Sequence, residues 1–508
     1  MSIIINDIIT DFGLFYVKIN NYYKTEQSST ERWLNIARYM HENNEIVVKI
    51  YKWVKQNNDL KKINIDYSII NDQLEKQISA ESDNLVKISL IALSLHQILY
   101  DLMSQDGNYY FLLNGQEEMQ ILGDKKITYY ISVNMKKEQN IFFHAYILMV
   151  ALESLFNNKF YLGIDFEYTN KKIQLAQLNF EHNVDPRSMI MIISPSDLEQ
   201  VMMDNFVNLI ICSRCIRKIL HGSDSLDIPY MYEHMLQNDS EKIIDATATL
   251  IDTRFLCEYY KLTRDEPSEY RCSIYSEDAS RSAVYYFSVV SDEQQAKLAE
   301  LLQNMPPPFD ITWSISKMPK NQILYAQYDV LFLKYFYYRM IFMATEDESS
   351  DTGKKAVITL YKHVLNEITR FIYLERNLVT LLEAKCKEQV DPINNYFVRK
   401  QSGVFKMIDI FNKVSVNLES SDPRVNIDKL SKVNHFKKPI MNILKRITYG
   451  FISKKCRVQK DKTTIWTDKL DNKFIFDFLE EMKFFYILKM FKDLSKTLES
   501  RISDLCRE

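Results

Sequence analysis

Glycine is scarce in this chain, with 9 in 508 residues, or about 2% where globular proteins carry ~7%. Architectures built on glycine repeats are excluded, and no internal repeat or low-complexity tract is present. Cysteine is sparse as well. There are seven, an odd number, scattered apart from Cys212 and Cys215. That usage is not a disulfide framework and predicts free thiols in a reducing compartment. Cys212-Ser213-Arg214-Cys215 has no second pair nearby and no histidine at a finger-like spacing. Helix-end or core cysteines are expected there rather than a zinc site.

A secretion signal is missing too. Met1-Ser2-Ile3-Ile4-Ile5-Asn6-Asp7 has no basic stretch leading into a long apolar one. The most apolar segment, Ile141–Phe156, contains His144 and Glu153 and is shorter than the ~20 residues that span a bilayer. A buried helix is expected, with no membrane association and a cytoplasmic or nuclear location. An excess of one charge is the last absence: 64 Lys+Arg stand against 67 Asp+Glu, a net charge of -3. A balance so close to zero is silent about nucleic acid, and only the distribution of charge along the chain informs.

What is present is 46% hydrophobic and 26% charged residues, the balance of a globular protein. The length predicts about three domains. Residues 1–138 mix polar and apolar positions at helical spacing, as in Trp33, Ile36, Ala37 and Met40, and then turn strand-like at Tyr109–Leu113 and Ile127–Val133. An α+β accessory domain is expected. Residues 139–345 alternate helix and strand patterns: strands at Phe160–Tyr168, Ile173–Phe180, Met189–Ile193 and Ile216–Leu220, and helices at Ile141–Phe156, Asp197–Ile210, Ile228–Met235, Thr253–Tyr260, Glu293–Gln303 and Asn321–Arg339. That alternation is an α/β layering. Ala283-Val284-Tyr285-Tyr286-Phe287 also looks strand-like. Residues 346–358, opening on Glu346-Asp347-Glu348-Ser349-Ser350, form the best linker. Residues 359–508 read as mostly helical, with Phe478, Met482 and Phe485 on one face.

Three segments carry chemistry when taken together. On a strand, Asp165 and Glu167 of Gly163-Ile164-Asp165-Phe166-Glu167 project to the same face. Paired carboxylates repel unless a cation sits between them, although two solvated acids on an exposed face would have the same spacing. His221-Gly222-Ser223-Asp224-Ser225-Leu226-Asp227-Ile228 follows an apolar strand and opens a helix. Either Asp there could equally be an N-cap. Tyr325 and Asp329 lie four apart on a helix and share a face. Gly163 and Gly222, two of the few glycines, sit beside the first and second segments, as close backbone approach or unusual dihedrals would require.

In order and spacing these segments resemble the DEDD 3′–5′ exonucleases, in the subgroup with a tyrosine in the third motif (DEDDy), where RNase D and the Werner-type exonuclease domain belong. Asp165-x-Glu167 matches the first motif, His221-Gly222 with Asp227-Ile228 the second, and Tyr325-x-x-x-Asp329 the third. Trp313, Pro319 and Asp252-Thr253 are also similar to family positions. Asp227 stands one residue further from His221 than is usual, and Asp224 is the alternative. The segment from Lys261 to Phe309 has no match.

Over roughly residues 140–345 the resemblance implies an α/β RNase H-like core, a mixed sheet flanked by helices. It implies two divalent ions, Mg²⁺ or Mn²⁺, held by Asp165, Glu167, Asp227 and Asp329. Asp165 would bridge them, and Tyr325 would orient the attacking water. The expected substrate is a single-stranded 3′ end of RNA or DNA, RNA somewhat favoured, with nucleoside 5′-monophosphates released. The other function class open to the chain is an inactive exonuclease fold serving as a nucleic-acid-binding or scaffold subunit. The N- and C-terminal regions are then where protein partners would attach.

Positive charge gathers late in the chain. Between Arg399 and Lys462 there are sixteen Lys/Arg against five Asp/Glu, including Lys437, Lys438, Lys445, Arg446, Lys454 and Lys455. Such a stretch is either a nucleic-acid contact through phosphates or a solvated positive face.

Overall fold

The structure, a computed structural model, describes most of residues 2–345, the longest breaks being 58–70, 112–128 and 258–271. Residues 346–508, with the linker, the helical C-terminal region and all six basic residues named above, lie outside the described residues.

In chain order the elements begin with α1 (Ser2–Tyr23), α2 (Ser29–Glu42), α3 (Asn44–Asn57), α4 (Asn71–Ala80) and α5 (Asn84–Ser104). There follow β1 (Asn108–Phe111), β2 (Tyr129–Asn134), α6 (Asn140–Asn157), β3 (Phe160–Thr169), β4 (Lys172–His182), β5 (Arg187–Ile193), α7 (Gln200–Asn205) and β6 (Ile216–Leu220). The remainder are α8 (Asp227–Tyr230), β7 (Leu250–Asp252), α9 (Ala283–Tyr286), α10 (Asp292–Gln303), α11 (Lys320–Leu331) and α12 (Leu333–Thr345). They fall into two compact units, one of residues 1–220 with 275–336, the other of 221–274 with 337–508.

The first unit is an α/β arrangement on a mixed sheet. Its strands run β1-β2-β5-β4-β3-β6, with β4 antiparallel to β3 and β5 and with β6 parallel to β3. Both faces of β3 are covered, which is why Leu162, Ile164 and Phe166 are buried on one side and Gly163 and Glu167 on the other, with Asp165 between them half-buried. On one face lies α6, with Tyr146 edge-on to Phe180 of β4. On the other lies α11.

The expected boundary at residue 138 falls inside this unit. Strand β2 pairs in parallel with β5 over Tyr129–Asn134, and α2, α3 and α5 pack on α6. The expected exonuclease segment 139–345 is in turn divided, since 221–274 and 337–345 belong to the second unit. The most apolar segment is the buried helix α6, as expected, and α5 is the longer of the two. Among the described residues α5 is the one helix long and apolar enough to cross a membrane, with mean hydropathy 1.4, and 78% of that window is buried.

Two elements differ from the sequence expectation. Ala283–Phe287 is not a strand: Ala283, Val284 and Phe287 are fully buried on one side of the helical turn α9. Burial of that face overrides the β preference of valine and tyrosine. The single helix expected over Asn321–Arg339 is two, α11 and α12, separated at Phe332. The Val330 carbonyl, placed to accept from the next turn, accepts instead from Asn179 Nδ2 at 3.1 Å.

In the second unit, Cys257 and Cys272 form a disulfide. The expectation of free thiols therefore fails for this pair. Cysteines fifteen apart carry no pairing signal, and the fold brings them together. Cys212, at the end of the helical turns that follow α7, and Cys215, just before β6, are in no disulfide, as expected.

Candidate metal centre

The site begins with a hairpin register. Asp165 of β3 lies opposite Gln177 of β4, Gly163 opposite Asn179, and Glu167 opposite Leu175. Alternation puts all six on one face, the face on which α11 packs. Close approach of α11 depends on Gly163. A Cβ there would stand 3.1 Å from the Val330 carbonyl oxygen and 3.4 Å from the Leu333 side chain. Asn179 fixes the same point of the helix by its bond to that carbonyl. This packing brings Asp329, one residue earlier on α11, against the carboxylates of β3.

Asp165, Glu167 and Asp329 each offer a ligand oxygen, all within 4.8 Å of one another. Gln177 Nε2 donates to Glu167 Oε1 at 3.3 Å, which orients that carboxylate. The Tyr275 hydroxyl donates to Asp329 Oδ1. Asp329 Oδ2 is enclosed and has no hydrogen-bond partner among the described residues. Tyr325, one turn before Asp329, stands edge-on to Tyr275 at 6.0–6.1 Å from both Tyr275 and Trp313 ring centroids. It packs against the cluster of Leu175, Ile192, Ile311, Trp313, Met318 and Ala326, so its ring is fixed by apolar contact, and its hydroxyl is hydrogen-bonded with Tyr275.

The electrostatics follow from crowding acids in a closed place. Burial pushes the Asp165 carboxyl from 3.8 up to about 7, a backbone hydrogen bond at Phe166 drawing the other way. Asp329 is raised well above the usual carboxylate range, first by burial and then by the Asp165 charge, with hydrogen bonds to Tyr275 and Glu167 opposing. The Asp329 charge, then burial, then Glu167 and Asp165 push the Tyr325 phenol far above 10. Tyr275 moves the same way, burial first and Asp329 next. Both phenols keep their protons, and Tyr275 donates its own to Asp329. Three hard oxygen donors suit Mg²⁺ or Mn²⁺. Among the described residues no sulfur or imidazole ligand joins them.

The second motif has a different setting. Asp227 begins α8 and is buried, but it is in the second unit and is not among the three clustered acids. Asp224 lies outside the described residues. His221 Nδ1 is 2.9 Å from Thr253 Oγ1, and its Nε2 is 2.9 Å from the Cys272 carbonyl. Burial is the main cause that drops this imidazole from 6.5 to about 4. The backbone N–H groups of Gly222 and Ser223, and the Ser223 hydroxyl, all donate to the Asp252 carboxylate. Gly222 sits at φ +69°, a conformation that favours glycine, with the Arg254 side chain 3.0 Å from where a Cβ would be. His221-Gly222 and Asp252-Thr253 are thus one hydrogen-bonded knot, with Asp252 saturated by donors.

Sequence reading missed Gln177, Asn179 and Tyr275. A signal existed for the first two, since amides on one face of an otherwise apolar strand are costly unless employed. Tyr275 lies in the segment without a family match, and no spacing marks it.

No family model matches the chain, and no solved structure matches it. Across 503 residues, covering 99% of both chains, it is 61% identical to "Uncharacterized protein L533" of Acanthamoeba polyphaga mimivirus.

Proposed function

We propose that this chain, which belongs to the family of that mimivirus protein, is a metal-dependent 3′–5′ exonuclease of the DEDDy type. One observation carries the reading. Two acids at i and i+2 on β3 meet an acid with a tyrosine one turn before it on α11, from a segment more than 150 residues later in the chain. These are the residues the motif resemblance singles out, and the mixed sheet with covering helices supports an RNase H-like core. Asp165, Glu167 and Asp329 would hold a divalent ion. When bound, Mg²⁺ or Mn²⁺ supplies Lewis-acid polarisation of a phosphodiester oxygen and a water of lowered pKa. Gln177 holds Glu167 in place. The Tyr325 hydroxyl, kept protonated by its acidic neighbours, donates a hydrogen bond that orients the attacking water rather than removing its proton. Asp227 and a second ion remain part of the proposal on resemblance alone.

The test is degradation of 5′-labelled single-stranded RNA and DNA with Mg²⁺, with Mn²⁺ and with chelator. A metal-dependent ladder receding from the 3′ end is expected. The double variant Asp165→Ala, Glu167→Ala should lower the rate by about 10³-fold or more, the several kcal/mol that metal stabilisation of the transition state supplies. No degradation with either metal, alongside retained binding in a mobility-shift assay, would replace this reading with that of a nucleic-acid-binding subunit.

A further inference from the structure

Tyr275 has no counterpart among the motif residues, yet it is hydrogen-bonded to the acid that α11 contributes. Its hydroxyl donates to Asp329 Oδ1, and its ring lies edge-on to Tyr325 with centroids 6.1 Å apart. The backbone beside it is anchored independently. Gln295 of α10, itself buried, donates from Nε2 to the Ser276 carbonyl at 2.7 Å. The helix α10 in turn starts on a reciprocal capping box between Ser291 and Gln294. A capped helix therefore fixes Ser276, and Ser276 fixes where the Tyr275 hydroxyl falls. The result is a carboxylate with its two oxygens made unequal: Oδ1 holds a phenol, and Oδ2 is enclosed and, among the described residues, unpartnered.

We propose that Tyr275 is a positioning residue that makes Asp329 a one-oxygen ligand and thereby sets the site's preference for small octahedral cations over Ca²⁺. The proposal rests on the metal-site reading given above. The reasoning is one of coordination geometry. Mg²⁺ takes six ligands at ~2.0–2.1 Å in a strict octahedron, while Ca²⁺ takes 6–8 oxygens at ~2.3–2.6 Å and readily uses both oxygens of one carboxylate. A phenol seated on Oδ1 blocks two-oxygen coordination and costs the small cation nothing. Groups that orient a ligand from behind typically change metal affinity about 10–100-fold when removed.

The experiment uses the full chain freed of metal with chelator. Mn²⁺ binding is followed by the electron paramagnetic resonance of the free ion, and Ca²⁺ binding by competition against it. Wild type should bind Mn²⁺ in preference to Ca²⁺, and Asp329→Ala should lose the site. Tyr275→Phe keeps the ring and its packing. It should weaken Mn²⁺ by about 10–100-fold and Ca²⁺ by clearly less, so the ratio of the two constants narrows. Equal losses for both ions, or no loss for either, would mean that Tyr275 only fills space, and the proposal falls while the metal site stands. No Mn²⁺ binding in wild type, or binding indifferent to Asp329→Ala, would remove the metal reading and this inference with it. Should Tyr275→Phe not fold, 3-fluorotyrosine at position 275 retains the hydroxyl. Its fluorine resonance should move on adding Mg²⁺ in wild type and stay fixed in Asp329→Ala. A resonance unmoved by Mg²⁺ in protein that binds the ion overturns the proposal.

Discussion

Asp165 is the residue whose ionisation should be most visible from outside. Its carboxyl sits at about 7 in the fold against 3.8, so the folded state binds its proton more tightly than the unfolded state does. Without metal, that stabilisation is complete below pH 3.8 and is lost as pH rises through 7. A cation reverses the preference by favouring the ionised form. The rise in melting temperature on adding Mn²⁺ should accordingly be larger at about pH 8 than at about pH 5.5, by calorimetry, and Asp165→Asn should remove most of the difference. His144 contributes the opposite slope. Fully buried, with Nδ1 2.8 Å from Nδ1 of His41 and Nε2 2.9 Å from Asn205, it drops from 6.5 to about 3, burial being the main cause and His41 the second. A depressed histidine stabilises above 6.5 and loses that contribution as pH falls toward 3. Its ring proton resonance should stay at the neutral-imidazole position down to about pH 4, and titration near the ordinary value would contradict the burial.

At the scale of elements, the packing of α11 on β3 governs the site. Gly163→Ala places a methyl 3.1 Å from a backbone oxygen, which the helix relieves by moving away from the strand. Overpacking of this kind costs about 1–3 kcal/mol. The fall in Mn²⁺ affinity should exceed what Asn179→Ala causes, since that variant removes a tether without adding bulk. Mn²⁺ titration and thermal unfolding of both variants measure this, and unchanged affinity in Gly163→Ala would detach the site from the packing of helix on strand.

Much at this scale was readable from sequence. Period-two alternation gave β3 and its acids their shared face, and the i, i+4 spacing joined Tyr325 to Asp329. The break at Phe332 was not readable, because it arises from a side chain on β4 taking a helix carbonyl. Tyr275 was not either, because its place depends on α10, a helix whose own pattern gives no hint of a partner at Ser276. Ala283–Phe287 misled for a general reason: residue preference yields to whichever face can be buried.

For the whole molecule, near-neutral net charge means that any hold on nucleic acid must come from local surplus. The surplus lies in the basic stretch from Arg399 to Lys462. Charge reversal at Lys437, Lys438, Lys445 and Arg446 should weaken single-strand binding. It should also flatten the logarithmic salt dependence by about 0.7 for each phosphate no longer neutralised. A mobility-shift series across salt concentrations reads both, and an unaltered slope would assign those residues to a solvated face. The division into domains was less legible than the site. Helical spacing near the N-terminus reads alike whether the helices form a domain of their own or cover a sheet completed later in the chain, and here they do the latter.

That late completion has a consequence during synthesis. The helix α5 ends at Ser104, and α6, on which it packs, runs over Asn140–Asn157. At a ribosomal pace of about 5–20 residues per second, the stretch best suited to a bilayer emerges several seconds before its cover exists. In that interval membrane-targeting machinery competes with folding for the nascent chain, and the outcome depends on how fast translation proceeds.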